Sequence, residues 1–173
     1  NPYPDFEVRK VWKRHTIKNT GEKQHHDQLF IDLDGDNKAE LVFWNQRARK
    51  LVYAKIPTNP AKQSKWKFNT IWTWPEEYKY EGLAKADIDL DGVEDLVGGG
   101  HWFKYEGNNN FKANKIDDYG SSRCAAGDIA QDRLGRPIGA HIRPFFGGGK
   151  DCFKLIHSYI GHEGVFLAYH YRQ

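Results

Sequence analysis

The feature that most restricts this chain is a short acidic pattern that occurs twice. The segment Leu29-Phe30-Ile31-Asp32-Leu33-Asp34-Gly35-Asp36-Asn37-Lys38-Ala39-Glu40-Leu41-Val42 is matched 55 positions later by Lys85-Ala86-Asp87-Ile88-Asp89-Leu90-Asp91-Gly92-Val93-Glu94-Asp95-Leu96-Val97. Counted from Asp32 and from Asp87, carboxylates stand at positions 1, 3, 5 and 9 in both. Alternate side chains can gather around one cation if the loop bends at its middle. Position 6 is Asn37 in one copy and Gly92 in the other, residues that tolerate positive φ. Carboxylates this close repel one another unless a cation is present. A hard cation that takes about 6–8 oxygens in tolerant geometry is calcium. Two Ca²⁺ sites are therefore expected. Asp32, Asp34, Asp36 and Glu40 with the carbonyl of Lys38 would form one, and Asp87, Asp89, Asp91 and Asp95 with the carbonyl of Val93 the other.

An EF-hand is excluded, because it needs Glu at position 12 and flanking helices. Position 12 is Phe43 in the first copy and Gly98 in the second, and an apolar, strand-like run follows position 9 in both. The remaining alternative is a pair of solvated acidic turns, against which the shared register weighs. A third, eroded copy is expected at Asp128, without the carboxylate set.

The flanks of the acidic loops read as strands. Leu41–Trp44 and Leu51–Ala54 are short, aromatic or branched, and separated by polar residues 45–50, which is a hairpin signal. His101–Tyr105 and Phe111–Ile116 flank Glu106-Gly107-Asn108-Asn109-Asn110, a turn-rich stretch. Val8–Ile17 and Trp66–Trp74 read as further strands, each upstream of an acidic loop. No segment has the 3.6-residue apolar period of a helix, so the expected class is all-β. The units, about 8–57, 66–117 and 118–173, have the size of four-stranded blades of ~40–50 residues.

The pattern Asp-x-Asp-x-Asp-[Gly/Asn]-x-x-[Asp/Glu] between apolar strands resembles the FG-GAP/VCBS repeat of calcium-binding β-propellers. Arg14-His15-Thr16-Ile17 resembles the strand that often precedes such a loop, and Gly100-His101-Trp102-Phe103-Lys104-Tyr105 the strand after it. Residues 122–137 resemble a calcium-free blade. The resemblance implies a secreted or cell-surface β-propeller with about three blades in this chain. Closed propellers have ~4–8 blades, so the chain is expected to belong to a larger propeller or to complete one as a homo-oligomer. Gly161–Ala168, compared with Glu81–Ala84, resembles the start of a further unit.

Composition narrows the partners. Twenty-six basic and 23 acidic residues leave a net charge of +3, too even to point to nucleic acid or a membrane surface. No apolar run approaches the ~18 residues of a membrane span. An aromatic content of 14% argues against disorder. The chain starts at Asn1 and has no Met, which predicts a processed product or a piece of a longer protein. Cys124 and Cys152 are either separate thiols or a disulfide, the latter favouring an oxidising compartment.

Activity is less determined than the metal. His26 and Glu81 stand six positions before their loops, and His162 with Glu163 at the start of the possible further unit. Converging at a propeller axis they could bind a transition metal or act as acid and base; the alternative is polar strand ends facing a water-filled channel. His15, His25 and His101 read as hydrogen-bonded or exposed strand residues. Trp72, Trp74, Tyr78 and Tyr80 form an aromatic run, serving either packing between blades or a sugar-stacking platform. The expected function is carbohydrate binding by a calcium-loaded propeller. The alternatives are a sugar-active enzyme of polysaccharide lyase or sugar dehydratase type, and a protein-interaction module.

Overall fold

The computed structural model describes residues 14–75, 78–89 and 91–116, and beyond them the backbone of four strands with the Ala126 side chain. The chain is all-β: among the described residues there is no helix. The described strands form three four-stranded antiparallel sheets, each a meander in chain order. The first contains β1 (His25–Ile31), β2 (Glu40–Asn45), β3 (Lys50–Lys55) and β4 (Asn69–Thr73). The second contains β5 (Ala84–Ala86), β6 (Asp95–Gly98), β7 (His101–Gly107) and β8 (Asn110–Lys115). The third contains β9 (Arg123–Gln131), β10 (Pro137–Phe145), β11 (Leu155–Gly161) and β12 (Gly164–His170).

The continuous apolar runs mark strands covered on both faces. All six residues of β2 are buried. Alternation along the strand sends Val42 and Trp44 one way and Leu41 and Phe43 the other. On the first side, Val42, Trp44, Leu51 and Tyr53 pack with Leu96 and Phe103 of the second sheet. On the opposite side, Leu41, Phe43 and Val52 are covered by Ile17, Trp66 and Phe68. The second sheet is likewise lined on both faces. Val97 turns away from Leu96 and packs with Ala86, Ile88, Ile116, Trp102 and Ala126 of β9.

One joint holds the first two sheets in register. Trp44 is fully buried, and its indole N–H donates to the Gly82 carbonyl at 2.9 Å. Beneath its ring lies the tight turn between β6 and β7, with Gly99 at φ 57° and Gly100 at φ 72°. Asp27, at φ 41° in a bulge of β1, accepts a hydrogen bond from the Gly82 N–H at 2.9 Å.

Several boundaries differ from the sequence expectation. The strand expected within Trp66–Trp74 is β4, the outer strand of the first sheet, paired to β3 through Leu51↔Trp72 and Lys50↔Thr73. It does not open the second unit, so the first sheet spans 25–73. Residues 14–17 are not in a strand. Asp128 lies inside β9 opposite Ala140, not in a third acidic loop. Gly161 pairs with Gly164, so this segment is the β11–β12 hairpin of the third sheet and opens no further unit. His162, Glu163, Trp12, Cys152 and the Cys124 side chain lie outside the described residues.

Candidate metal centres

Both acidic loops join the first strand of a sheet to the second, and they are built alike. In the first, the Asp32 carboxylate accepts from the backbone N–H groups of Asp36 (3.1 Å) and Asn37 (2.7 Å), drawing the loop into a turn. In the second, Asp87 does the same with Asp91 (3.1 Å) and Gly92 (2.9 Å). Position 5 repeats as well: Asp36 accepts from Lys38 N–H and Asp91 from Val93 N–H, both at 2.9 Å. The position-9 carboxylate is buried in each and ties the loop closed. Glu40 accepts from Leu33 N–H and Asp95 from Ile88 N–H, both at 3.0 Å. Asn37 has φ 63° and Gly92 φ 90°, the left-handed bend that position 6 requires.

With these bonds made, one oxygen in each loop is both buried and without a hydrogen-bond partner. Asp34 Oδ1 and Asp89 Oδ1, both at position 3, are buried and unpartnered. An orphaned buried carboxylate oxygen is costly unless something binds it. Around it, donor atoms of Asp32, Asp34 and Asp36 come within 4.8 Å of one another, as do those of Asp87, Asp89 and Asp95. An all-oxygen set of this kind suits a hard cation. Burial pushes Asp95 up to about 7 and raises Glu40 and Asp87 above the usual carboxylate range.

Two residues of the centres were not anticipated from sequence. The Lys55 ammonium lies 2.6 Å from Asp34 Oδ2 and 3.3 Å from Asp36 Oδ2. Lys104 reaches Asp89 Oδ2, and lies 2.6 Å from Asp91 Oδ2. These hydrogen bonds, to Asp34 first in one case and to Asp89 first in the other, hold both amines above the usual lysine range. The usable signal is register. Lys55 pairs with Glu40 across the β2–β3 ladder, and Lys104 is one step beyond the Leu96↔Phe103 pair, opposite Asp95.

The remaining candidates separate. His26 Nδ1 and Glu81 Oε1 do meet, at 3.8 Å, with both side chains partly exposed. His101 Nδ1 lies 2.9 Å from the Gly99 carbonyl, and its ring packs on Trp72. The aromatic run divides. Trp74 is buried, and Trp72 and Tyr80 pack around it and Trp44, because rings two apart in an extended chain share a face. These three rings pack within the core that joins the first two sheets. Tyr78 alone of the four is exposed, at 53%. It borders a cleft of about 420 Å³ with Gln24, Gln46, Arg47, Arg49 and Lys79. The β2–β3 turn contributes to this cleft, which places it at the opposite end of the first sheet from its acidic loop.

No family model, curated protein or solved structure matches this chain.

Proposed function

We propose that the chain is a calcium-binding β-propeller segment, secreted or at the cell surface, that binds carbohydrate. The observation that carries the calcium reading is the orphaned Oδ1 of Asp34 and of Asp89, repeated in two loops with the same hydrogen-bond plan. Asp32, Asp34, Asp36 and Glu40 would hold one ion, and Asp87, Asp89, Asp91 and Asp95 the other, with the Lys38 and Val93 carbonyls completing the sets. Bound calcium would supply the charge that these buried carboxylates lack and would cross-link each loop. Support for the blade reading comes from the common meander order, the stacking of the second sheet between the other two, and the Trp44 joint. Three sheets are fewer than the ~4–8 blades of a closed ring, so the reading includes completion by further blades or by copies of this chain.

Carbohydrate is favoured by the Tyr78 cleft. A flat exposed ring among amide and cationic side chains offers stacking to a pyranose and hydrogen bonds to its hydroxyls. A sugar-active enzyme, of polysaccharide lyase or sugar dehydratase type, is the second reading, favoured by the approach of His26 to Glu81. Among the described residues no helix is long and apolar enough to cross a membrane.

The test of the calcium reading is thermal unfolding in EGTA and in CaCl₂. A ligand that binds only the folded state at 100 times its Kd stabilises by about 2.7 kcal/mol per site. For a chain of this size that is a rise of ~5–10 °C per site. Identical melting curves in chelator and in calcium would refute it.

A further inference from the structure

We propose that Lys55 and Lys104 are resident counter-cations of the two acidic loops, and that a divalent cation binds by displacing them. The inference rests on the calcium reading and goes beyond it, because it assigns a competitor built into each site. The two lysines are not copies of one another in sequence: they lie 15 positions after Glu40 and 9 after Asp95, whereas the loops repeat at 55. Their agreement is spatial. Each stands on the third strand of its sheet, across from the position-9 carboxylate. Each ammonium spans the carboxylates of positions 3 and 5 and takes the Oδ2 atom of both. In each loop the other oxygen of position 3 is the orphaned one.

Positions 3 and 5 are also cation donors, so an ammonium and a divalent ion contend for the same pair of side chains. A lysine is suited to yielding. It carries a point charge on a flexible stem, and the side chains of Lys55 and Lys104 are 54% and 31% exposed, with solvent available to receive the displaced amine. The device has two consequences of opposite sign. Without metal, the lysine holds positions 3 and 5 together and keeps the loop shaped. With metal, the same lysine lowers affinity and leaves a positive charge beside the bound ion.

The experiment uses the full chain and its Lys104→Met and Lys55→Met variants, with calcium titrated by isothermal calorimetry and melting followed in EGTA. Charge-assisted hydrogen bonds of this kind shift an equilibrium by about tenfold. The Lys104→Met variant should therefore bind calcium about tenfold tighter at one site and melt at a lower temperature than wild type in EGTA. The effect of Lys55→Met should be smaller, since that side chain is the more exposed. Lys104→Arg, which retains the cation, should stay within about threefold of wild-type affinity. If Lys104→Met aggregates in EGTA, Lys104→Gln takes its place in the same two measurements. Wild-type binding with variants no tighter overturns this inference and leaves the calcium reading standing. Failure of the wild-type chain to bind calcium overturns both.

Discussion

Adding one methyl group at Gly98 tests the joint between the first two sheets. Gly98 ends β6, and a Cβ built there would lie 2.4 Å from the Gly82 carbonyl oxygen, 3.0 Å from Leu83 Cδ2 and 3.1 Å from Trp44 Cζ2. Real Cβ atoms do not approach a backbone oxygen so closely, and the oxygen is not the tip of a movable side chain. Overpacking of this sort costs about 1–3 kcal/mol. The same oxygen accepts the Trp44 indole N–H at 2.9 Å, and stranding a buried donor adds about 1–3 kcal/mol. Gly98→Ala should therefore cost about 3–5 kcal/mol, or ~6–20 °C of melting temperature. Gly98 is not among the positive-φ glycines, so backbone strain contributes nothing there. The control is Gly92→Ala, with φ 90° and nothing within 4 Å of its Cβ, which isolates the backbone penalty of ~1–2 kcal/mol. Urea unfolding of both variants, read by tryptophan fluorescence, separates the two effects. A Gly98→Ala chain within about 0.5 kcal/mol of wild type would show that the sheets do not meet in this way.

Two further substitutions divide packing from recognition and test the loop bend. Trp74→Ala should lose about 3–5 kcal/mol in urea unfolding, as a buried ring does, whereas Tyr78→Ala should unfold within ~0.5 kcal/mol of wild type and lose signal on a glycan array; retained glycan binding by Tyr78→Ala would remove the cleft from consideration. Asn37→Val places a β-branched residue at φ 63° and should cost about 1–2 kcal/mol, while Asn37→Gly should unfold at or near the wild-type midpoint.

The acidic loops were legible because their information is local. A carboxylate at every second position and a positive-φ residue at position 6 determine the turn with little help from the rest of the molecule. The strands around them were legible for the same reason, since runs such as Leu41–Trp44 and Leu51–Ala54 carry their own signal. What was not legible depends on pairing at a distance. Trp66–Trp74 stands before the second loop in sequence, yet β4 is claimed by β3 through a ladder that no local pattern encodes. Asp128 looked like the start of a worn loop, but its neighbours pair with β10 across a nine-residue strand. The exposure of Tyr78 and the burial of Trp74 follow from where Trp44 lies, which is a property of the assembled sheets.

Lys55 and Lys104 show why register, more than composition, decides the chemistry of these loops. In sequence each is one of 26 basic residues, and their unequal distances from the loops conceal any kinship. In the folded chain both stand across a ladder from a buried position-9 acid, and both turn toward positions 3 and 5. An isolated surface ion pair contributes little, about 0–1 kcal/mol. Here the position-5 carboxylates, Asp36 and Asp91, are also fixed by a backbone N–H donor within the loop, so the ammonium meets one partner already held in place and less entropy is lost on pairing. That pre-ordering would serve a divalent ion in the same way. A loop that needed metal to acquire its shape would have to meet the ordering cost at the moment of binding. A loop held by its own N–H groups and a cross-strand lysine has met part of that cost during folding, and the proposed metal binding would then be an exchange of one cation for another.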